Sequence, residues 1–120
     1  MLKKANVANE FESITEAWSP KIVGEVNDFQ VKLAKLDGEF IWHHHHEQDE
    51  LFLVVKGRLR IRLRDGDVEV NEGEFLIVPR GVEHLPVADE ETHVLLFEHR
   101  TTINTGNVVN ERTITNPDPI

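Results

Sequence analysis

GEFIWHHHHEQDELFLVVKG, residues 38–57, holds four consecutive histidines, His43–His46, between an apolar triplet and an acidic segment. An affinity tag sits at a terminus, whereas this run is internal and flanked by Phe40, Ile41 and Trp42 on one side and by Glu50 and Leu51 on the other. The pattern predicts a strand over Phe40–His46, a polar loop over His46–Asp49, and a buried strand over Leu51–Lys56 that Gly57 closes. Successive strand side chains point to opposite faces. The run is therefore two pairs, His43 with His45 and His44 with His46, and only one pair can face inward. Two imidazoles with a carboxylate a few residues later suit a divalent first-row metal.

The neighbouring segments also read as strands. Ile22–Val26 precedes a turn at Asn27-Asp28. In Phe29–Leu36, Phe29, Val31 and Leu33 alternate with Gln30, Lys32 and Ala34, and Asp37-Gly38 reads as a turn. Arg58–Arg64 places four arginines on one face and Leu59, Ile61 and Leu63 on the other. A two-residue turn at Asp65-Gly66 would set Arg64 opposite Asp67, Leu63 opposite Val68, Arg62 opposite Glu69 and Ile61 opposite Val70. The arginine stripe is thus read as a solvated face paired with acids rather than an anion site. Phe75–Val78, a short strand near His84–Val87, and Thr92–His99 follow. His93 and His99 are read as core or rim positions on the last strand. Helix is confined to one or two turns near Ala8–Ile14, and the tail from Thr101 is expected to run extended.

The chain has 120 residues, so one domain is expected over 1–120, with a β core at about 22–100, an N-terminal arm at 1–20 and a tail at 101–120. The formal charge of −9 disfavours nucleic acid and anionic membrane as partners. The absence of cysteine removes disulfides and thiolate metal sites. Residues 1–9 have no apolar signal-like core, so a cytoplasmic location is the default expectation.

A second stretch bears on the histidines. Gly73, Pro79, Gly81 and His84 are spaced as G-x5-P-x-G-x2-H. Together with Gly38, the histidine run, Glu50 and Gly57, this resembles the two motifs of the cupin family, over roughly Gly38–Ala88. Ala88 stands where the second motif has Asn. The resemblance implies an all-β jelly-roll sandwich (the double-stranded β-helix of the cupin barrel) with a short N-terminal helix. The general first motif would select His44 and His46, whereas the W-H-x-H form of small single-domain cupins selects His43 and His45 and matches Trp42 and Asp49 as well. The preferred ligand set is His43, His45, Glu50 and His84, with His44 and His46 turned outward beside Phe40 and Trp42.

Such a set accepts Fe, Mn, Ni, Cu or Zn and does not choose among them. The first functional reading is a metalloenzyme acting on a small organic molecule by dioxygenase- or isomerase-like chemistry. In it, Phe52, Val54 and neighbours on Phe75–Val78 form an apolar wall. Sugar-phosphate isomerase chemistry would need an inward Lys or Arg, which the outward stripe does not supply. The alternatives are a non-catalytic binding or sensing module with a structural metal, and a metal-loaded scaffold acting through an oligomeric partner. A homodimer is expected, because Trp18, Phe40 and Trp42 look too apolar for solvent and because the resemblance implies pairing through one sheet.

Overall fold

The computed structural model describes residues 2–120. After a single helical turn α1 (Val7–Glu10), capped by the Asn6 side chain, and a 3-10 turn (Phe11–Ser13), the regular elements are all strands. The strands are β1 (Lys21–Val26), β2 (Phe29–Glu39), β3 (Glu50–Lys56), β4 (Arg58–Leu63), β5 (Gly66–Asn71), β6 (Phe75–Val78) and β7 (His84–His99). All strand pairs are antiparallel, in the order β1-β2-β7-β3-β6, with β4 pairing both β5 and β7. The fold is a jelly roll.

β7 is the hinge of this architecture. Its first half pairs with β4 (Arg60↔Val87 to Leu63↔His84) and its second half with β3 (Glu50↔Glu98 to Lys56↔His93), while β2 runs along both halves. The expected short strand at His84–Val87 and the strand from Thr92 are therefore one continuous element. Asp37-Gly38 is likewise not a turn: β2 continues to Glu39, and the register shifts between Leu36↔Thr92 and Gly38↔Ala88, where the two strands bend together.

The β4–β5 hairpin is two residues out of the expected register. Leu63 pairs with Gly66, Arg62 with Asp67 and Ile61 with Val68, so the turn is Arg64-Asp65. The glycine lies just after the turn, with φ 143°, rather than within it. A two-residue shift preserves the faces: Leu59 and Ile61 are buried against Val54, Val94 and Leu96. Burying each such side chain contributes roughly 1.5–3 kcal/mol. The arginines remain outside, Arg58 facing Glu69 at 3.5 Å and Arg64 facing Glu83 at 3.4 Å.

On the opposite face of the large sheet, Phe11 and Ile14 cover Leu33, and Phe11 stacks on His93 at 4.5 Å. His93 and His99 both lie on this outer face, away from the interior. The tail forms successive turns rather than an extended strand, then returns to pair with β1: Ile22 N donates to Asp118 O and Ile120 N to Ile22 O. Among the described residues no helix is long and apolar enough to cross a membrane.

Candidate metal centre

Phe40–His46 lies outside any strand and is tied down point by point. His43 and His84 exchange backbone hydrogen bonds (3.1 and 2.9 Å) as an isolated antiparallel bridge. His44 exchanges two with Asn107: its N–H donates to Asn107 Oδ1 at 2.9 Å, and its carbonyl accepts from Asn107 N at 3.0 Å. The His45 carbonyl accepts from Gly81 N at 2.7 Å, and Asp49 Oδ1 from Arg80 N at 2.8 Å. The segment is extended, so alternation survives without a ladder. His43 and His45 are buried, His46 is exposed and His44 is partly so.

The structure brings His43, His45, Glu50 and His84 together, with one potential ligand atom from each lying within 4.8 Å of the others. Glu50 opens β3 and His84 opens β7. His45 Nε2 lies 3.4 Å and His84 Nε2 3.5 Å from Glu50 Oε1, and these three atoms are buried without a hydrogen-bond partner. Leaving one such group unsatisfied costs about 1–3 kcal/mol, so three sharing one point fit a cation. The second ring nitrogens support this. Nδ1 of His43 donates to the Ile41 carbonyl and Nδ1 of His84 to the Val82 carbonyl, both at 2.9 Å, which turns each Nε2 lone pair inward. Burial, then the neighbouring His84, lowers the His43 pKa to about 4, so this ring is a neutral donor at pH 7. Burial alone would raise Glu50, but contacts with His45, His84 and Glu98 outweigh it and hold this carboxyl well below the usual range.

His44 and His46 point away and pack edge-on at 4.5 Å. Trp42 shares their side and lies beneath the Arg64 guanidinium, 3.8 Å from the ring centroid. Phe40 departs from expectation. It faces inward, buried against Trp18 at 4.8 Å, because strand alternation does not extend back through residues 40–42. Both aromatics thus find cover within the chain.

Beside His43 and Glu50 lies a half-open cavity of about 40 Å³. Its apolar walls come from Trp18, Leu36, Phe40, Phe52 and Leu96. Phe52 was anticipated as wall, whereas Val54 lies in the core beyond it and β6 does not reach the cavity. Two charged residues in its lining are not apparent from the sequence. Lys32 Nζ donates to Glu98 Oε1 at 2.9 Å, with both side chains buried, and Glu98 faces Glu50 across the β3–β7 pair. Burial, then repulsion from Glu50, pushes Glu98 well above the usual carboxyl range despite Lys32.

This jelly roll gathers three imidazoles and a carboxylate beside an apolar cavity, a cluster that could hold a metal ion. The Cupin domain model matches residues 30–107, and the chain belongs to that family. It is 35% identical over 101 residues to the protein YdbB of Bacillus subtilis (strain 168), covering 83% of this chain and 89% of that one. A cupin-2 domain containing protein from Shewanella frigidimarina NCIMB 400, known by crystal structure, is 41% identical with a TM-score of 0.78, over 79% of this chain and 93% of that one. The acireductone dioxygenase of Bacillus subtilis (strain 168) is 28% identical over 104 residues, covering 78% of this chain and 58% of the dioxygenase.

Proposed function

We propose that the protein is a metal-dependent enzyme, of dioxygenase-like chemistry, that acts on a small organic molecule in the cavity beside the histidines. The observation that carries this reading is the cluster of three unpartnered buried ligand atoms, His45 Nε2, Glu50 Oε1 and His84 Nε2, beside that cavity. When bound there, a divalent first-row metal with open positions supplies a Lewis acid or a redox centre. The chain's own residues do the rest. His43, His45, Glu50 and His84 hold the ion, Ile41 and Val82 fix two of the rings, and the Trp18–Phe40 stack restricts water at the cavity. Similarity to a dioxygenase supports the reaction class.

Metal analysis of tag-free protein supplied in turn with Fe, Mn, Ni, Cu and Zn tests the site, with about one ion per chain expected. Oxygen uptake by the Fe(II)-loaded protein over a panel of small organic acids tests the chemistry. No bound metal under any supply would refute the reading. Stoichiometric metal without oxygen uptake would favour the binding or sensing module.

The working unit in this proposal is a homodimer, on different grounds from those the sequence offered. Trp18, Phe40 and Trp42 are covered within the chain, but the part of the large sheet's outer face beyond Phe11 and Ile14 is not. Phe75 is 62% exposed and Ile77 49%, beside Leu51 and Leu53 on the adjoining strand, with Phe97 and Phe29 further along. β6 is also an open edge. A standard interface buries about 1,200–2,000 Å² in total. Light scattering should give about twice 13.8 kDa, and Phe75→Glu should halve it. A wild-type mass of one chain at all concentrations would overturn the dimer.

A further inference from the structure

The Lys32–Glu98 pair is hard to explain as a device for stability. Taking a lysine and a glutamate out of water costs several kcal/mol per ion, and well-packed apolar residues usually serve as well or better. Both side chains are nonetheless almost wholly buried, on the inner face of strands otherwise lined there by Ala34, Leu36, Val94 and Leu96. Both line the same cavity as His43 and Glu50. Glu98 uses Oε1 to accept from Lys32, and its Oε2 is buried without a partner. An ammonium has three N–H groups, so the bond to Glu98 leaves Lys32 two further donors.

We propose that Lys32, oriented by Glu98, anchors a small organic monoanion, a carboxylate or comparable oxyanion with an apolar body, in this cavity. The inference rests on the reading that the neighbouring histidines and Glu50 hold a metal. Charge sets the ligand class. A divalent ion, Glu50, Lys32 and Glu98 sum to +1 with Glu98 ionised and to +2 with it protonated. Either way the sum is positive, so an anion is favoured over a neutral ligand or a cation. A phosphate dianion fits less well, since Lys32 is the one cationic side chain in the lining and two carboxylates share the cavity with it. Apolar walls that include Trp18, Leu36, Phe40, Phe52 and Leu96 suit a short apolar body. A volume of about 40 Å³ leaves room for few atoms beyond the anionic head. Asn104, from the tail, adds a polar side chain to the lining.

The test is calorimetric titration of metal-loaded protein with pyruvate and propionate against their neutral amides, pyruvamide and propionamide. A charge-assisted hydrogen bond contributes roughly 1.5–3 kcal/mol, so at least one acid should bind roughly 10- to 100-fold more tightly than its amide. The double variant Lys32→Met with Glu98→Gln leaves no uncompensated buried charge and, with Glu98 ionised, the same net charge as the wild type. It should keep its metal and lose that preference. Equal affinity for acid and amide in the wild type, no binding of either acid, or a preference that survives in the double variant would each overturn the inference. The wild-type comparison stands even if the variant fails to fold. Should the wild type hold no metal, the proposed function fails by itself. The same acid-against-amide comparison on the metal-free protein then decides the role of Lys32.

Discussion

Gly106→Ala should weaken metal binding from a position 60 residues beyond the end of the histidine run. Gly106 sits at φ 55°, and a Cβ built there would overlap the His44 carbonyl oxygen, lie 2.9 Å from the carbonyl carbon, and come within 3.1 Å of His43 Cδ2. The neighbours are backbone and the His43 ring, so the clash is relieved only by moving the histidine run or the tail. Movement strains the two hydrogen bonds between His44 and Asn107, each contributing roughly 0.5–1.5 kcal/mol. The left-handed backbone adds about 1–2 kcal/mol. The sum is about 2–5 kcal/mol. At about 3–6 °C per kcal/mol for a chain of this size, the melting temperature should fall by roughly 6 °C or more. Displaced ring supports typically cost about 10–100-fold in metal affinity. Gly73→Ala is the control: its φ is 80°, but a Cβ there meets nothing within 4 Å, so it carries the backbone cost alone. Competition with a chelator gives the affinity and calorimetry the melting point. If Gly106→Ala matches Gly73→Ala in both, the tail does not position the histidines and the reasoning fails.

Further outcomes follow from the same geometry. His43→Ala and His45→Ala should each lose most bound metal by elemental analysis, whereas His44→Ala and His46→Ala should keep it, because the former are buried and convergent and the latter are not. A reversed result would place the ligand register one residue away. The metal-free protein should lose stability on acidification. His43 is held at about 4 against 6.5, so the unfolded chain takes up the proton first, and stability present above about pH 6.5 is lost as the pH falls toward 4. The difference of 2.5 units corresponds to about 3 kcal/mol. Melting curves of the metal-free wild type and His43→Gln across this range check it, and parallel curves would count against it. Glu98→Ala should destabilise more than the double variant of Lys32 and Glu98, by roughly 3 kcal/mol or more, since it strands a buried ammonium. Urea denaturation of both, with the single variant equal to or above the double, would contradict this.

The strands of the core were legible because Leu51–Lys56 is an apolar run closed by Gly57 and Arg58–Arg64 alternates without interruption, and a shift of two residues in the hairpin leaves every side chain on its face. The pairing of His43 with His45 was legible for the same reason, helped by Trp42 and Asp49, the latter binding the Arg80 backbone and so tying one motif to the other. Periodicity says that two faces differ, but not which is the interior. In β2 the apolar series Phe29, Val31, Leu33 lies on the outer face, where Phe11 and Ile14 cover Leu33, and the series with Lys32 lies inside. The usable signal was parity: Lys32 is in step with Ala34 and Leu36, and Glu98 with Val94 and Leu96, all of them core residues.

The tail was least legible, and its position explains the behaviour of the histidine run. A segment with no regular ladder must satisfy its backbone elsewhere, and here residues 43–45 do so through Gly81, His84 and Asn107, all more than thirty residues further along the chain. Gly81 and His84 belong to the second motif, but Asn107 lies beyond both motifs. Thr105 is buried behind it, its hydroxyl donating to Val108 O at 2.6 Å and lying 2.7 Å from Thr113 Oγ1, and Asn104 Oδ1 accepts from Ile114 N at 2.7 Å. These are local bonds that fold the tail on itself, so its Thr and Asn content reads as polar linker when taken residue by residue. The geometry makes it the third wall of the site: it gives the extended histidine segment a neighbour on the side where the sheet gives none. The two motifs supply the four candidate ligands, and the tail bonds to the loop that presents two of them.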